Sequence, residues 1–244
     1  MTARVLLVTG TGTGVGKTIA TAAIAALASS TGQRIAAVKP AQTGSQPDDL
    51  GDLDEVRRLA GVTDLHELVR FPDALAPATA ARLAGRPGLV MADAASAIHQ
   101  LLDDHDLVIV EGAGGILVEF NGQGQTMADL ALLVGAQALV VTEPELGTLN
   151  HTALTLEALQ ARGITCAGVI IGSWPNEPSL ACRTNLDDLE QISGQPLAGV
   201  FEEQMGRLAR PNFLRAARVG LSPDLGGLFD AAHFRKRFDY RRNL

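Results

Sequence analysis

Val5-Leu6-Leu7-Val8-Thr9-Gly10-Thr11-Gly12-Thr13-Gly14-Val15-Gly16-Lys17-Thr18 stands at the head of the chain, and its reading decides the fold. Residues 5–9 are a short β-branched and leucine run, followed by a glycine cluster and then by an alanine-rich segment, 18–30, of high helix propensity. Strand, loop and helix in that order are the context a phosphate-binding loop needs. Glycines let successive backbone N–H groups turn inward around an oxyanion, and the helix start adds its positive dipole. Lys17 then reaches the β and γ phosphates, and Thr18 offers a hydroxyl to Mg2+. The loop is a variant of G-x-x-x-x-G-K-[ST], because Thr11 stands where the first glycine usually does. A glycine-rich turn without chemistry is the plain alternative, and Lys17-Thr18 at a helix start argues against it.

Similar apolar runs recur at 35–38, 107–110, 138–142, 166–171 and 196–200, most of them separated by helically patterned segments. They are short and continuous rather than alternating, as parallel strands are when helices cover both faces of the sheet. The expected fold is therefore α/β, a three-layer, doubly wound, mostly parallel sheet of the P-loop NTPase type. Between residues 38 and 107, Pro40, Pro47, Pro72, Pro77 and Pro87 break the pattern into short helices and loops, a good place for substrate contacts. One domain is expected over residues 1–230. Arg235, Lys236, Arg237, Arg241 and Arg242 crowd the remaining 231–244, which reads as a basic, solvated tail, disordered or left over from expression, rather than a binding arm.

Hydrophobic residues make up 46% and charged residues 19% of the 244, a balance that excludes an extended disordered protein. The formal charge of -7 provides no field for nucleic acid or anionic lipid, so an anionic ligand must be held by local groups. Cys166 and Cys182 lack metal-ligand spacing and read as reduced thiols. No apolar stretch reaches the roughly 18 residues that span a bilayer, and no cleavable leader pattern opens the chain. A soluble, cytoplasmic protein is the expectation.

In a doubly wound sheet the ligand lies at the carboxyl ends of the strands, and two further strands end there in charge. Lys39 follows the run 35–38 and precedes Pro40-Ala41-Gln42-Thr43-Gly44, where a lysine neutralises charge on a transferring phosphoryl group. Glu111 follows the run 107–110 and precedes Gly112-Ala113-Gly114-Gly115, where an acidic residue supplies a second metal anchor. After Thr18 and Glu111, a third metal ligand, an acidic one, is to be sought among Asp48, Asp49, Asp52 and Asp54, and spacing does not choose among them. The five histidines, His151 included, need no catalytic role.

The phosphate loop, Lys39-Pro40-x-x-Thr43-Gly44-Ser45, Val110-Glu111-Gly112-Ala113-Gly114-Gly115 and Leu146-Gly147-Thr148-Leu149-Asn150-His151 together resemble the dethiobiotin synthetase family. The resemblance in order and spacing runs from about Val5 to Ile171. It implies an ATP-dependent cyclo-ligase that closes the ureido ring of dethiobiotin from 7,8-diaminononanoate and CO2, with Mg2+, in biotin biosynthesis. It implies a homodimer with active sites at the subunit interface. Lys17 and Lys39 become the catalytic cations, with Thr13 close by. Gly14, Val15, Gly16, Lys17, Thr18, Ile19, Asp54, Glu111, Gly112, Ala113, Gly114 and Gly172 fall to the nucleotide, and Thr18, Asp54 and Glu111 to the metal. Thr43 becomes a substrate contact, and Gly147, Thr148, Leu149 and Asn150 face the substrate across the dimer. Thr148 and Asn150 are, moreover, good N-cap residues for a helix over 152–161, whose free N–H groups suit a carboxylate.

Two other classes share parts of this pattern. Partition or switch ATPases usually carry an extra lysine early in the loop, and Thr11, Gly12, Thr13 and Gly14 supply none. Cobyrinate-type amide ligases need a glutamine-hydrolysing domain for which the length leaves no room. One departure from the resemblance concerns the base. Where the family carries an Asn-Asp type pair for adenine, this chain reads Ile171-Gly172-Ser173-Trp174, and the later turn reads Val200-Phe201-Glu202. Weak base selectivity follows, with other nucleoside triphosphates accepted, unless the Gly172 and Ser173 backbone or Trp174 stacking reads adenine.

Overall fold

The first strand, β1 (Arg4–Gly10), is buried from its second residue onward, and its alternate side chains enter two different cores. Leu6 and Val8 join one hydrophobic cluster and Val5 and Leu7 the other, which is what a strand covered on both faces requires. A computed structural model of the chain describes residues 4–239. After β1 come α1 (Lys17–Ser30), β2 (Ile35–Thr43), α2 (Asp52–Ala60), β3 (Leu65–Phe71), α3 (Pro77–Leu83) and α4 (Met91–Leu101). Then follow β4 (Leu107–Gly115), α5 (Met127–Leu133), β5 (Gln137–Thr142), α6 (Thr148–Gln160), β6 (Cys166–Trp174), α7 (Leu180–Ser193), β7 (Gly199–Glu202), α8 (Arg210–Gly220) and α9 (Ala231–Arg237).

The strands form one seven-stranded sheet in the order β3-β2-β4-β1-β5-β6-β7, every pair parallel. Residues of α1, α2 and α8 cover one face, where Ile24, Leu59 and Phe213 are fully enclosed. Residues of α4, α5 and α7 cover the other, around Ile98, Met127 and Leu189. The three-layer, doubly wound expectation therefore holds.

One strand was not expected. In β3, Leu65-His66-Glu67-Leu68-Val69-Arg70-Phe71, polar residues interrupt the apolar run, and only Phe71 is buried. At the sheet edge, paired to β2 alone, it needs no continuous hydrophobic face.

The pairing between β2 and β4 creates the cleft. It runs from Ile35↔Leu107 to Val38↔Val110 and stops, so Lys39 and Glu111 stand one step beyond the last paired residues. Both strands nevertheless continue, to Thr43 and Gly115, which places the two charges inside strands rather than after them. Pro40 suits the place where β2 leaves its neighbour, because it has no N–H to donate.

Residues 231–239 are not a solvated tail. Asp230 caps α9 by accepting from the His233 N–H at 2.9 Å, and Arg235 pairs with Asp187 on α7 at 3.1 Å. Phe234 and Phe238 pack on Trp174 with ring centroids 5.2 and 5.1 Å away. Aromatic burial outweighs the basic composition, and the domain continues through α9. Arg241 and Arg242 lie outside the described residues. Among the described residues no helix is long and apolar enough to cross a membrane.

Candidate active site

Between β1 and α1 the chain turns through two glycines in the left-handed region, Gly14 at φ 81° and Gly16 at φ 100°. Gly16 is the cap of α1, so the helix opens directly out of the loop. The loop rests against the end of β6: a Cβ on Gly172 would lie 1.9 Å from the Val15 carbonyl oxygen, and one on Gly16 would lie 2.9 Å from the Gly172 oxygen. Gly172 is therefore a packing requirement of the loop, which no asparagine could meet at that position. Val15 is buried and Ile19 packs on the same core, so both side chains serve the helix-sheet interface.

Lys17 donates to the Gly12 carbonyl at 2.7 Å. Burial and the nearby Lys39 charge lower its pKa to about 8, against the opposing pull of Glu111 and Asp52. Thr18 Oγ1 donates to Glu111 Oε1 at 2.8 Å. Glu111 is 1% exposed, and its buried Oε2 has no hydrogen-bond partner among the described residues.

Lys39, 3% exposed, lies between two carboxylates: Nζ is 2.9 Å from Glu111 Oε1, 2.5 Å from Asp52 Oδ2 and 3.1 Å from the Gly112 oxygen. Burial pulls its pKa down, but Glu111 and Asp52 outweigh that and hold the ammonium above its ordinary value. Burial likewise acts to raise the Asp52 carboxyl, and Lys39 reverses this to hold it low. Glu111, more deeply enclosed, is pushed up by burial against the pull of Lys39.

Of the candidate aspartates it is Asp52 that joins Glu111 at Lys39, and Asp54, expected there, is not brought to the cavity. Asp54 Oδ2 accepts the Gly51 N–H at 2.9 Å, and its Oδ1 pairs with Arg57 at 3.0 Å, so it stabilises the first turn of α2. Asp49 accepts from the Gln46 N–H at 2.7 Å in its own turn. Asp52 is held by Gln42, whose Oε1 accepts the Asp52 N–H at 3.0 Å. Gln42 was not singled out in the sequence, although it stands inside the Lys39 to Gly44 segment and its burial is the tertiary signal of a role.

These groups floor a cavity of about 670 Å3. Thr13, Gly14, Gly16, Lys17, Thr18, Lys39, Thr43, Glu111, Gly112, Ala113 and Gly114, all expected at the site, line it together with Asp52. Ala74, Leu75, Pro77 and Val118 add an apolar wall that residue chemistry alone did not reveal. It comes largely from the proline-broken insertion.

Gly147, Thr148, Leu149 and Asn150 do not line this cavity. The expected helix start at 152 is corrected: α6 starts at Thr148, with Gly147 as its cap in the left-handed region at φ 94°. The Thr148 hydroxyl caps nothing. It is buried against Thr142 Oγ1 at 2.7 Å, and Thr142 also meets Thr152 at 2.9 Å and Thr11 of the phosphate loop at 3.3 Å. Trp174, an alternative platform for the base, is 3% exposed inside its aromatic cluster and so does not stack on a ligand.

A family profile described as an AAA domain matches residues 4–206. Solved structures with the same fold include the septum site-determining protein MinD of Pyrococcus horikoshii in complex with Mg-ADP, at TM-score 0.57 and 16% identity, with 99% of this chain and 98% of that one covered. A ParA family ATPase of Chlorobium tepidum aligns at TM-score 0.54 and 17% identity over 91% of this chain and 95% of its own. At such identities the likeness concerns the fold. Closer kinship lies among curated proteins named ATP-dependent dethiobiotin synthetase BioD. The one from Frankia casuarinae is 57% identical over 234 residues, 96% of this chain and 98% of its own. Those from Parafrankia sp. and Streptomyces coelicolor are 54% and 51% identical, each over 96% of this chain and 98% of its own. With identity of that order along nearly the whole of both chains, and with the phosphate loop, Lys39 and Glu111 gathered on one cavity floor, this chain belongs to the ATP-dependent dethiobiotin synthetase family.

Proposed function

We propose that the cavity binds a nucleoside triphosphate beside 7,8-diaminononanoate and CO2 and closes the ureido ring of dethiobiotin, as a cytoplasmic ligase of biotin biosynthesis. The observation that carries this reading is Lys39, a buried ammonium inside β2 where that strand leaves β4, beside the phosphate loop and below an apolar wall.

The chemistry follows from what the substrate lacks. One amine adds to CO2 and loses a proton, giving a carbamate whose oxygen is a poor leaving group. Transfer of the γ-phosphoryl group to that oxygen gives a carbamic-phosphoric anhydride and the nucleoside diphosphate. The second amine attacks the carbonyl carbon, inorganic phosphate departs with the C–O bonding pair, the nitrogen loses its proton and the ring is closed. No protein nucleophile is required. Lys17 and the loop amides hold the phosphates, Lys39 meets charge that grows on the transferring group, and the cavity walls keep the reacting ends together and water out.

The residues present fit a magnesium ion. Glu111 Oε2 is a buried oxygen without a partner among the described residues, and the Thr18 hydroxyl and the Asp52 carboxylate lie close to the same Glu111 side chain. Thr18, Glu111 and Asp52 would hold Mg2+, which when bound offsets phosphate charge. Residues 43, 74–77 and 118 form the wall against which the diamine's methylene chain lies.

The working unit in this reading is a homodimer. Residues 147–150 of one chain complete the site of the other, which accounts for their absence from their own cavity and for the exposure of Leu146 and Leu154 beside them. Incubation with diaminononanoate, bicarbonate, Mg2+ and ATP, read by mass spectrometry, tests the reaction; absence of dethiobiotin with folded protein overturns it. Mixing an inactive Lys17 variant with one altered at residues 147–150 tests the dimer, because one composite site per mixed dimer regains activity. Mixtures that stay dead although mixed dimers form would refute the shared site.

A further inference from the structure

Beyond covering the sheet, α7 grips the loop that delivers α6. Asn185, 5% exposed in the middle of α7, donates to two consecutive carbonyls, Pro144 O at 2.7 Å and Glu145 O at 3.2 Å. Both N–H bonds of a buried amide are thereby spent on one strand-to-helix connection, the one between β5 and α6. The Glu145 carbonyl is shared, since it also accepts the Thr148 N–H, the first amide of α6, at 3.2 Å. A single oxygen therefore ties α7 to the opening turn of α6.

The Glu145 side chain is held as well. Cys182 Sγ donates to Oε1 at 3.0 Å and Ser179 Oγ to Oε2 at 3.3 Å, while Ser179 caps α7 by accepting the Cys182 N–H at 3.1 Å. Leu146, 86% exposed, and Gly147, in the left-handed region, are the two residues between this grip and the helix. From the sheet side, Thr142 holds the Thr148 hydroxyl. The opening turn of α6 is thus fixed from two directions, by β5 and by α7.

We propose that Asn185 is a positioning residue for substrate binding: by fixing the Pro144 and Glu145 carbonyls it sets the orientation of residues 147–150. The proposal rests on the reading that those residues contact the diamine. If the role were only structural, loss of Asn185 would lower stability without favouring one substrate over the other. Under the proposal it weakens the diamine and spares the nucleotide, because the phosphate loop depends on other contacts.

The test is steady-state kinetics of the full chain. Asn185→Asp replaces the donating NH2 group by one oxygen facing two carbonyls, and the loss of two hydrogen bonds predicts KM for the diamine raised about 10-fold or more, with KM for ATP within about twofold. Glu145→Ala alters an exposed side chain, keeps the fold should Asn185→Asp fail to accumulate, and predicts a rise of about threefold in the diamine KM alone. Asn150→Ala reads residues 147–150 directly. If Asn150→Ala raises the diamine KM while folded Asn185→Asp and Glu145→Ala do not, the positioning role is overturned and the loop reading stands. If Asn150→Ala and both clamp variants leave that KM unchanged, the loop reading falls and takes the proposal with it. Equal rises in both KM values would likewise overturn it.

Discussion

The two halves of the sheet build the site by different means. On the β2-β4-β1 side the ligand-facing groups are charges: Asp52 and Glu111 within hydrogen-bond distance of Lys39, and Lys17 close enough to feel all three electrostatically. On the β5-β6-β7 side the same end of the sheet carries hydroxyls, glycines and buried amides: Thr142 with its three threonine partners, Gly172 against the phosphate loop, and Asn185 on the connection before α6. Buried charge must be compensated at once and so is confined to a few residue types. Backbone positioning is achieved by small, neutral residues that are common everywhere. The contrast shows that the first half is made for electrostatics and the second for placement.

The largest test of that contrast is Lys39→Ala. It leaves Asp52 and Glu111 without their shared cation, and breaking a buried pair costs about 3–5 kcal/mol of stability. A folded variant loses on the order of 100-fold or more in turnover, with a smaller change in nucleotide affinity. Thermal melts and kcat separate the two effects; near-wild-type turnover would move Lys39 out of the chemistry.

Gly172→Ala strikes the placement side. Its Cβ would meet the Val15 oxygen at 1.9 Å, and the loop must shift. Overpacking of this kind costs about 1–3 kcal/mol. If half of that appears in binding, affinity for every nucleotide falls about 2- to 10-fold alike, whatever its base. Calorimetric titration with ATP and CTP checks it, and a loss confined to ATP would show that Gly172 reads the base.

The Lys17 pKa of about 8 gives the charged half a pH signature. Phosphate needs the ammonium, so nucleotide Kd rises above pH 8, by up to about tenfold per unit, and binding takes up a proton there. Stability runs the other way. The folded pKa lies below the unfolded value of 10.5, the unfolded chain binds more protons between about 8 and 10.5, and the contribution of this group to stability increases with pH across that window. Lys17→Met should abolish both slopes; their persistence would assign them to another group.

The smallest effect concerns the base. With no side chain at Gly172 and Trp174 committed to Phe234 and Phe238, CTP, GTP and UTP should support turnover within about 100-fold of ATP, and Trp174→Phe should leave the order unchanged. A preference for ATP beyond that scale would reveal a base contact on this half of the sheet.

Legibility in the sequence follows the same division. Lys17, Thr18, Lys39 and Glu111 were readable because a strand, a glycine loop and a charge closing an apolar run narrow the physical options, and continuous apolar runs announced a sheet buried on both faces. Asp54 was misread for Asp52 because both stand in the first turn of α2, and only Gln42 and Lys39, reached through β2, decide which carboxylate turns inward. Thr148 was misread as a cap because a threonine before a helix looks the same whether its hydroxyl meets an N–H or a neighbouring hydroxyl. The C-terminal arginines hid the aromatic spacing that anchors α9.

What the sequence alone determined is therefore the layer architecture, the phosphate loop and the identity of the charges: these rest on periodicity, glycine content and the high cost of burying an ion. Which carboxylate faces Lys39, where α6 begins, how closely β6 approaches the loop and what α7 holds were decided only in the tertiary structure. Each depends on contacts between residues distant in the chain, at separations of a few ångströms that no local pattern encodes.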